Sequence, residues 1–588
     1  LYLPQKIDEP LPAVLYVCGH ARSEKEGVSL GNKTSYQHHP AWFARHGFVS
    51  LAIDTLQLGE IEGVHHGTYR RGMWWWNSRG YTPAGVEAWN AVRSLDYLQS
   101  RPEVDGERLG VTGRSGGGAY SWWLTALDDR VKAAVPIAGI TDLQNYVVDG
   151  AIEGHCDCMF MVNTYGWDFP LVAALAAPRP LLLANSDKDR IFPLDGVERL
   201  HWKLRRIYEL YGAEDHLGLL ITEGPHRDTQ DLRVPAFRWM MRWLKDEPDA
   251  LVDEPAVKYF PPEALKVFQE LPTDQRNTRI HESFVPAAEE PAVPSNRQEW
   301  AELRARRLAT LREKSFGGWP DDAASLAPNK AHEAEDDGVR LVAYDFTSQP
   351  GVRLRMWLLR SADAGRPERV VLSVVGEEQR QRWLGAIAAG FGEELDRIIG
   401  PGAEATPPTP PSPERFEELR RRLATDGLVL ATVAPRGIGP TAWNPDEHTH
   451  IRRRFALIGQ TLDGMRVWDV RRAIQLLGEL PELESAARRL EAHRTMAGIV
   501  LYASLFEPGV EQLDLWSLPT THRQGPTFLN VLKVLDMPQA VAMVPAETRV
   551  VLHETDPSAW RWPRELADNL GRDRPALELR GVEAGGGR

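Results

Sequence analysis

Cysteine is nearly absent. Cys18, Cys156 and Cys158 are the three in 588 residues, too few to hold so long a chain by a disulfide framework and no guide to its compartment. A run of eighteen apolar residues is missing as well, which excludes a helix spanning a bilayer. Basic charge is in deficit, with 69 Lys and Arg against 82 Asp and Glu and a net charge of −13. Neither nucleic acid nor an anionic membrane is therefore expected as the main partner. No G-x-G-x-x-G follows a strand-like run, so no nucleotide cofactor is indicated, and no other cofactor is expected. The chain opens on Leu1 rather than Met, and Leu1–Pro4 reads like the end of a strand. The natural N-terminus, with any signal peptide, is expected to precede it, which leaves the compartment open, export included.

What is present is globular and too long for one core: 43% apolar and 26% charged residues over 588 positions predict two or three domains. Before residue 245, six short apolar runs (Ala13–Val17, Phe48–Ile53, Leu109–Thr112, Ala133–Ile137, Leu181–Ala184, Leu219–Thr222) are bounded by Gly, Pro, Asp or charged residues, as buried parallel strands are. Between them Pro83–Gln99 carries Val86, Trp89, Val92 and Leu95 at helical spacing. This rhythm predicts a doubly wound, mostly parallel α/β sheet over residues 1–245. Residues 246–335 are rich in Pro, Glu and Arg, with one polar helix near Arg297–Lys314, and read as a surface connector. Strand–helix alternation is expected to return over 336–588 (strand-like runs Val339–Phe346, Arg353–Leu359, Arg369–Val375), interrupted by an exposed Pro-rich loop at Pro401–Pro413.

An internal repeat links the two halves. Ala88–Leu95 resembles Val467–Ile474, and thirteen residues after each Trp, at 102 and 481, comes a Pro-Glu pair. Two α/β domains of like topology in tandem is the economical reading.

Chemistry concentrates in the first copy. Gly113-Arg114-Ser115-Gly116-Gly117 is a G-x-S-x-G pentapeptide between a strand and a helix, the setting of a nucleophile elbow. Glycines on either side admit the tight turn, and the helix N-terminus favours developing negative charge. A serine hydroxyl needs a base, and the base an orienting acid. Past the strand Leu181–Ala184, Asp189 is the preferred carboxylate and Asp187 the alternative; past Leu219–Thr222, a Gly-Pro turn presents His226. The order Ser, Asp, His is that of α/β-hydrolases. The oxyanion donors are expected to be the main-chain N–H of Gly116 and one from the turn Cys18–Ala21, at His20 or Ala21.

The stretch Gly110–Tyr120, with Asp96-Tyr97-Leu98 upstream and Gly224-Pro225-His226 downstream, resembles the acetyl xylan esterase-like and dienelactone hydrolase/prolyl oligopeptidase-related branch of the α/β-hydrolases, over roughly residues 1–245. The resemblance implies de-esterification of a carbohydrate ester, with Ser115, Asp189 and His226 in the triad roles. The family's usual His-Gly of the oxyanion turn is replaced by Cys18-Gly19-His20.

Trp74, Trp75, Trp76 and Tyr81 precede the Pro83 helix and are candidates for stacking on sugar rings; Trp122 and Trp123 on the elbow helix read as core. His155-Cys156-Asp157-Cys158, His38-His39 and His65-His66 match no structural zinc spacing, and cysteines one residue apart are awkward to aim into one tetrahedron, so no metal is expected. In the second copy, aligning Gly498 with Gly118 sets Thr495 opposite Ser115, and no His follows Glu554 and Asp556. That copy reads as degenerate, serving to cover the first domain, shape its cleft or support self-association into a homo-oligomer. Three alternatives to a carbohydrate acetyl esterase stay open. They are a glucuronoyl esterase with Arg70, Arg71 and Arg79 on a uronic carboxylate, a prolyl oligopeptidase-like peptidase, and a carbohydrate-binding pseudo-hydrolase.

Overall fold

All six apolar runs before residue 245 are strands: β1 (Leu11–Val17), β2 (Val49–Ile53), β3 (Val104–Arg114), β4 (Val131–Ile137), β5 (Leu181–Ser186) and β6 (Leu217–Thr222). The computed structural model describes residues 1–159, 161–400, 410–571 and 577–581. It contains two compact units, residues 1–76 with 81–286 and residues 77–80 with 287–588. The segment read as one connector is thus shared between them.

In the first unit the strands run in the order β2-β1-β3-β4-β5-β6, every neighbour parallel. Such strands are covered on both faces, which is why they read as unbroken apolar runs: all six residues of β5 are buried. The helices that bear on the site are α1 (His38–Arg45), α2 (Gly67–Arg71), α3 (Pro83–Gln99), α4 (Gly116–Leu127) and α5 (Leu194–Leu210), followed by α6 (Gln230–Lys245). Pro83 sits in the first turn of α3, where its missing N–H has no partner to lose. Beyond α6 the chain is held on this unit by polar contacts. The Glu60 carboxylate accepts from the N–H groups of Val267 and Phe268 at 2.7 and 2.9 Å, and Gln37 Oε1 accepts from Phe260 N–H at 2.8 Å.

Glu87 lies on the buried face of α3. Its Oε1 accepts from Leu56 N–H at 2.5 Å, while Oε2 has no hydrogen-bond partner among the described residues. Burial pushes its carboxyl up to about 8 against the pull of the Leu56 bond, with the charge of Asp54 adding to the rise. A carboxyl with a raised value in the fold binds its proton more tightly there. Stability is therefore full below the unfolded value of about 4.3 and is lost as pH rises toward 8. Glu87→Gln keeps the accepting oxygen and removes the titration. Its melting temperature is expected to gain on wild type between about pH 5 and pH 8; a difference that stays constant across that range would refute the assignment.

The second unit opens with helix α7 (Arg297–Lys314), expected as a polar surface connector. Its Trp300 and Leu311 are instead in the unit's hydrophobic core, together with Phe316 and Trp319 just beyond. Trp300, Arg307 and Leu311 are buried at intervals of seven and four, one narrow stripe on an otherwise charged helix. The sheet adds β7 (Asn329–Asp336), β8 (Val339–Gln349), β9 (Val352–Ser361), β10 (Arg369–Val374), β11 (Leu428–Val433), β12 (Ala487–His493), β13 (Val510–Trp516), β14 (Arg549–His553) and β15 (Leu577–Arg580). Its order is β15-β14-β13-β12-β10-β11-β9-β8-β7. The edge β7-β8-β9 and its join to β11 are antiparallel, where the sequence suggested strand–helix alternation; from β11 through β10 to β15 the pairing is parallel. Of the expected loop Pro401–Pro413, residues 401–409 lie outside the described residues, and Pro413 opens a helix.

The parallel parts of both sheets share one order, the second strand outermost at one end and the first beside it. The repeated helix motif occupies like places, α3 before β3 and α8 (Leu462–Glu479) before β12. Its tryptophans differ in cover. Trp468 is 5% exposed and donates to Ser348 O of β8 at 3.0 Å, whereas Trp89 is 53% exposed.

Candidate active site

Strand β3 runs straight into α4, and Ser115 is the residue between them, at φ 59° and ψ −119°. A non-glycine residue at positive φ is strained by about 1–3 kcal/mol and persists only where its surroundings impose it. Here Ser115 N–H donates to Ile137 O of β4 at 2.9 Å. The neighbouring glycines are required by close approach: a Cβ on Gly113 would lie 2.3 Å from Val17 O, and one on Gly117 would lie 1.9 Å from it. Either contact is with backbone of the neighbouring strand β1, which cannot yield cheaply.

Because β3, β5 and β6 are parallel, the segments leaving their C-terminal ends emerge at one edge of the sheet, where α/β proteins bind ligands. Ser115, Asp189 and His226 all follow such ends. His226 Nδ1–H donates to Asp189 Oδ2 at 2.6 Å, and the Asp189 side chain is 0% exposed. Its other oxygen, Oδ1, accepts from the N–H groups of Ile191 and Phe192 at 2.9 and 3.1 Å. Burial raises this carboxyl, but the bond and charge of His226 and the two N–H donors outweigh it and hold the group below the ordinary carboxylate range. Asp187 faces elsewhere: its Oδ1 accepts from Gly224 N–H at 2.8 Å, bracing the turn that carries His226.

A supporting group that sequence reasoning missed is Asp228, two residues beyond His226. Its carboxylate accepts from His38 Nε2 and His39 Nε2, each at 3.0 Å, and from Arg233 on α6. Burial opposes its ionisation, yet His39, His38 and Arg233 hold it far below the usual range. The His38-His39 pair was visible in sequence; its partner 189 residues away was not.

The turn Cys18–Ala21 follows β1 and is tied down by Asn32 Nδ2–H donating to Gly19 O at 2.6 Å. His20 packs its ring over the start of α4, where a Cβ on Gly116 would lie 2.9 Å from His20 Cε1. Gly116 is in the first turn of α4, whose leading N–H groups have no partner within the helix. Burial, then the charges of His65 and His226, pull His20 down to about 3, so its ring is neutral at ordinary pH. Cys156 and Cys158 form a disulfide, and both sulfurs face His20 Nε2.

The expected aromatic mouth is not formed by the residues singled out. Trp75, Trp76 and Tyr81 are buried in a small core with Leu56 and Val86, Trp76 and Tyr81 at 1% exposure, and Trp74 is half-buried. A Trp-rich run carries large apolar area, and burying it stabilises the loop more than exposing it would. Trp122 and Trp123 are also core. Exposed aromatic surface instead lies on the loop between β4 and β5, where Tyr165 and Trp167 stack with centroids 4.9 Å apart and planes 22° from parallel.

In the second unit the position matching Ser115 is Arg494, not Thr495. Arg494 stands between β12 and α9 (Thr495–Phe506) at φ 51° and ψ −124°, and its N–H donates to Trp516 O at 2.8 Å. The next strand repeats the likeness: Ala138 and Ser517, at φ 46° and 48°, follow β4 and β13.

Residues 34–246 match the model of the prolyl oligopeptidase family. The Bacillus subtilis (strain 168) protein YtaP, named as a hydrolase, is 29% identical over 247 residues, 41% of this chain and 81% of that protein. Among solved structures, a methylesterase is 24% identical with TM-score 0.34, covering 45% of this chain and 55% of that one. A glucuronoyl esterase from Solibacter usitatus is 18% identical with TM-score 0.32, covering 40% and 75%. With its parallel sheet and strand–elbow–helix unit, the segment 34–246 belongs to the α/β-hydrolase superfamily, in its dienelactone hydrolase/prolyl oligopeptidase-related branch.

Proposed function

We propose that the first unit is a serine esterase that hydrolyses acyl esters of carbohydrates, acetyl esters foremost, with Ser115 as nucleophile, His226 as general base and Asp189 as the acid that orients it. The observation that carries this reading is the 2.6 Å bond between His226 Nδ1 and the fully buried Asp189 carboxylate, at the sheet edge where Ser115 sits in its strained elbow. With Nδ1–H committed to Asp189, the imidazole offers Nε2 as the base. Ser115 Oγ attacks the ester carbonyl carbon as its proton passes to His226. The tetrahedral oxyanion is held by main-chain N–H of Gly116 and of the His20 turn. Collapse expels the alcohol, which takes the proton from His226, and water then repeats the cycle to free the carboxylic acid.

Support for a sugar substrate comes from the exposed Tyr165–Trp167 stack on the β4–β5 loop, since that loop leaves the same edge as the triad. Trp167→Ala is expected to raise KM for acetylated xylo-oligosaccharides about tenfold, the loss of about 1–1.5 kcal/mol of ring contact, and to leave turnover of a small aryl acetate unchanged. Equal effects on both substrates would remove the stack from the sugar site.

The second unit we read as a degenerate copy of the same fold. Arg494 at the elbow has no hydroxyl or thiol to form an acyl-enzyme, so this unit serves structure or binding. The test of the whole reading is a substrate panel scored by product release. Acetate from acetylated xylo-oligosaccharides supports it. Turnover of methyl glucuronate or of a prolyl peptide, without acetate release, would move the assignment to a glucuronoyl esterase or a peptidase.

A further inference from the structure

Three separate segments of the first unit bring two imidazoles and two cysteines to one point. His20 comes from the turn after β1, His65 from the loop before α2, and Cys156 and Cys158 from the long β4–β5 loop. Their ligand atoms all lie within 4.8 Å of one another. His20 Nε2 is 3.2 Å from Cys158 Sγ and 3.6 Å from Cys156 Sγ, and the rings of His20 and His65 stack at 5.3 Å. Gln57 Nε2 also approaches His20 Nε2, at 3.1 Å.

The surrounding contacts hold this cluster. Asp157, between the two cysteines, turns the other way: its carboxylate accepts from Thr68 N–H at 2.8 Å and from Thr68 Oγ1–H at 2.5 Å. That contact fixes the cysteine loop to the loop of His65, three residues before Thr68, and leaves both sulfurs on the His20 side. From α4, Tyr120 OH donates to Cys158 O at 3.0 Å. The argument against a metal compared spacings along the chain, and it left out His20, more than 90 residues from either cysteine.

We propose that the reduced form of this cluster is a four-ligand zinc site, Cys156, Cys158, His20 and His65, in competition with the Cys156–Cys158 disulfide. Two thiolates and two imidazoles select a borderline-soft ion such as zinc over magnesium or calcium, whose ligands are oxygens. A tetrahedron with bonds of about 2.0–2.3 Å has edges of about 3.3–3.8 Å, and the nitrogen–sulfur separations of 3.2 and 3.6 Å are already of that size. Formation balances in two steps. A dithiol reductant exchanges with the disulfide, giving two thiols and its own cyclic disulfide. Zinc ion then binds the two sulfurs and two ring nitrogens, releasing two protons to solvent.

Four protein ligands leave no coordination position for substrate or water, so the ion braces structure and does not activate a nucleophile. What it braces is the turn of His20, whose ring packs on Gly116 beside Ser115. The inference does not depend on the proposed esterase reaction, because metal content is measured without substrate.

The test uses the full chain, reduced with a dithiol without oxygen, given excess zinc, passed through a desalting column and assayed by elemental analysis. About one zinc per chain is expected for wild type, and cobalt in its place is expected to give thiolate-to-cobalt charge-transfer absorption in the near ultraviolet. Both signals are expected to vanish in Cys158→Ser and in His65→Ala, the second variant leaving the cysteine pair intact, with circular dichroism confirming that each is folded. Failure of reduced wild type to retain either metal would overturn the proposal. So would full metal content and undiminished charge-transfer absorption in both variants.

Discussion

Ser115→Ala is expected to abolish ester hydrolysis, with kcat down by roughly 10⁶-fold and binding of the substrate nearly unchanged, as when the nucleophile of a triad is removed. The size of the effect follows from the role. His226 has no proton to take, the acyl-enzyme cannot form, and what remains is the contribution of the oxyanion donors and of substrate positioning, about 10³–10⁴ over the reaction in water. Folding is expected to survive, since the strain at φ 59° belongs to the backbone and the bond from residue 115 N–H to Ile137 O does not involve the hydroxyl. Alanine tolerates this backbone no worse than serine. The measurement is release of acetate under single-turnover and steady-state conditions. An Ala variant within tenfold of wild type would remove Ser115 from the chemistry. The acetate release would then belong to another site and the triad assignment would fall with it, whereas a wild type that turned over neither the sugar acetate nor an aryl acetate would pass to the binding-protein reading.

The elbow was legible in sequence because its requirements are local: a buried strand, two glycines and a helix lie within a dozen residues. His226 was legible for the same reason, a single histidine in a Gly-Pro turn past a strand end. Asp189 and Asp187 differ only in where a tight turn points them, which is settled by the N–H groups of Ile191, Phe192 and Gly224. Contacts between distant segments were not legible. Asp228 with His38 and His39, and Cys156 and Cys158 with His20 and His65, come together only once the sheet has ordered its strands. The aromatic run Trp74–Trp76 misled for a different reason: composition reports apolar area and not which side of the loop it faces, and here Trp75 and Trp76 face inward. Helix α7 hid its role because three buried positions among eighteen are too few to show a clear period.

The second elbow shows how much of this architecture is backbone. Arg494 occupies the strained conformation without any of the glycines that flank Ser115. Its cost, about 1–3 kcal/mol, is offset by a bond to the neighbouring strand equivalent to that of Ser115. Aligning the second unit on the first by their helix glycines put Thr495 in this place because a glycine marks close helix packing, not the turn itself: a Cβ on Gly498 would lie 2.4 Å from Pro526 Cδ. The elbow is therefore a property of the sheet-to-helix crossing, and the nucleophile is an addition to it.

Asp189→Asn is expected to lower kcat about 10⁴-fold while leaving the fold intact, and Asp187→Asn to change kcat by less than tenfold. The contrast rests on what each carboxylate holds. Asp189 accepts from His226 Nδ1–H at 2.6 Å with its own side chain fully buried. An Asn side chain there can present its N–H₂ to Nδ1, which then accepts, so the proton moves to Nε2 and the base is lost. The variant also loses the charge that stabilises the imidazolium formed as Ser115 attacks. Asp189 is held below the ordinary carboxylate range in the fold. Its contribution to stability is thus present above the unfolded value of about 3.9 and is lost as pH falls through the folded one. The melting-temperature deficit of Asp189→Asn should accordingly shrink below about pH 4, while the loss of kcat persists throughout the neutral range. Asp187 braces the Gly224 turn from a more open position, and Asn keeps an oxygen to accept that N–H. If Asp187→Asn proved the more damaging of the two, the acid of the triad would have to be reassigned, and with it the tautomer and the direction of proton transfer at His226.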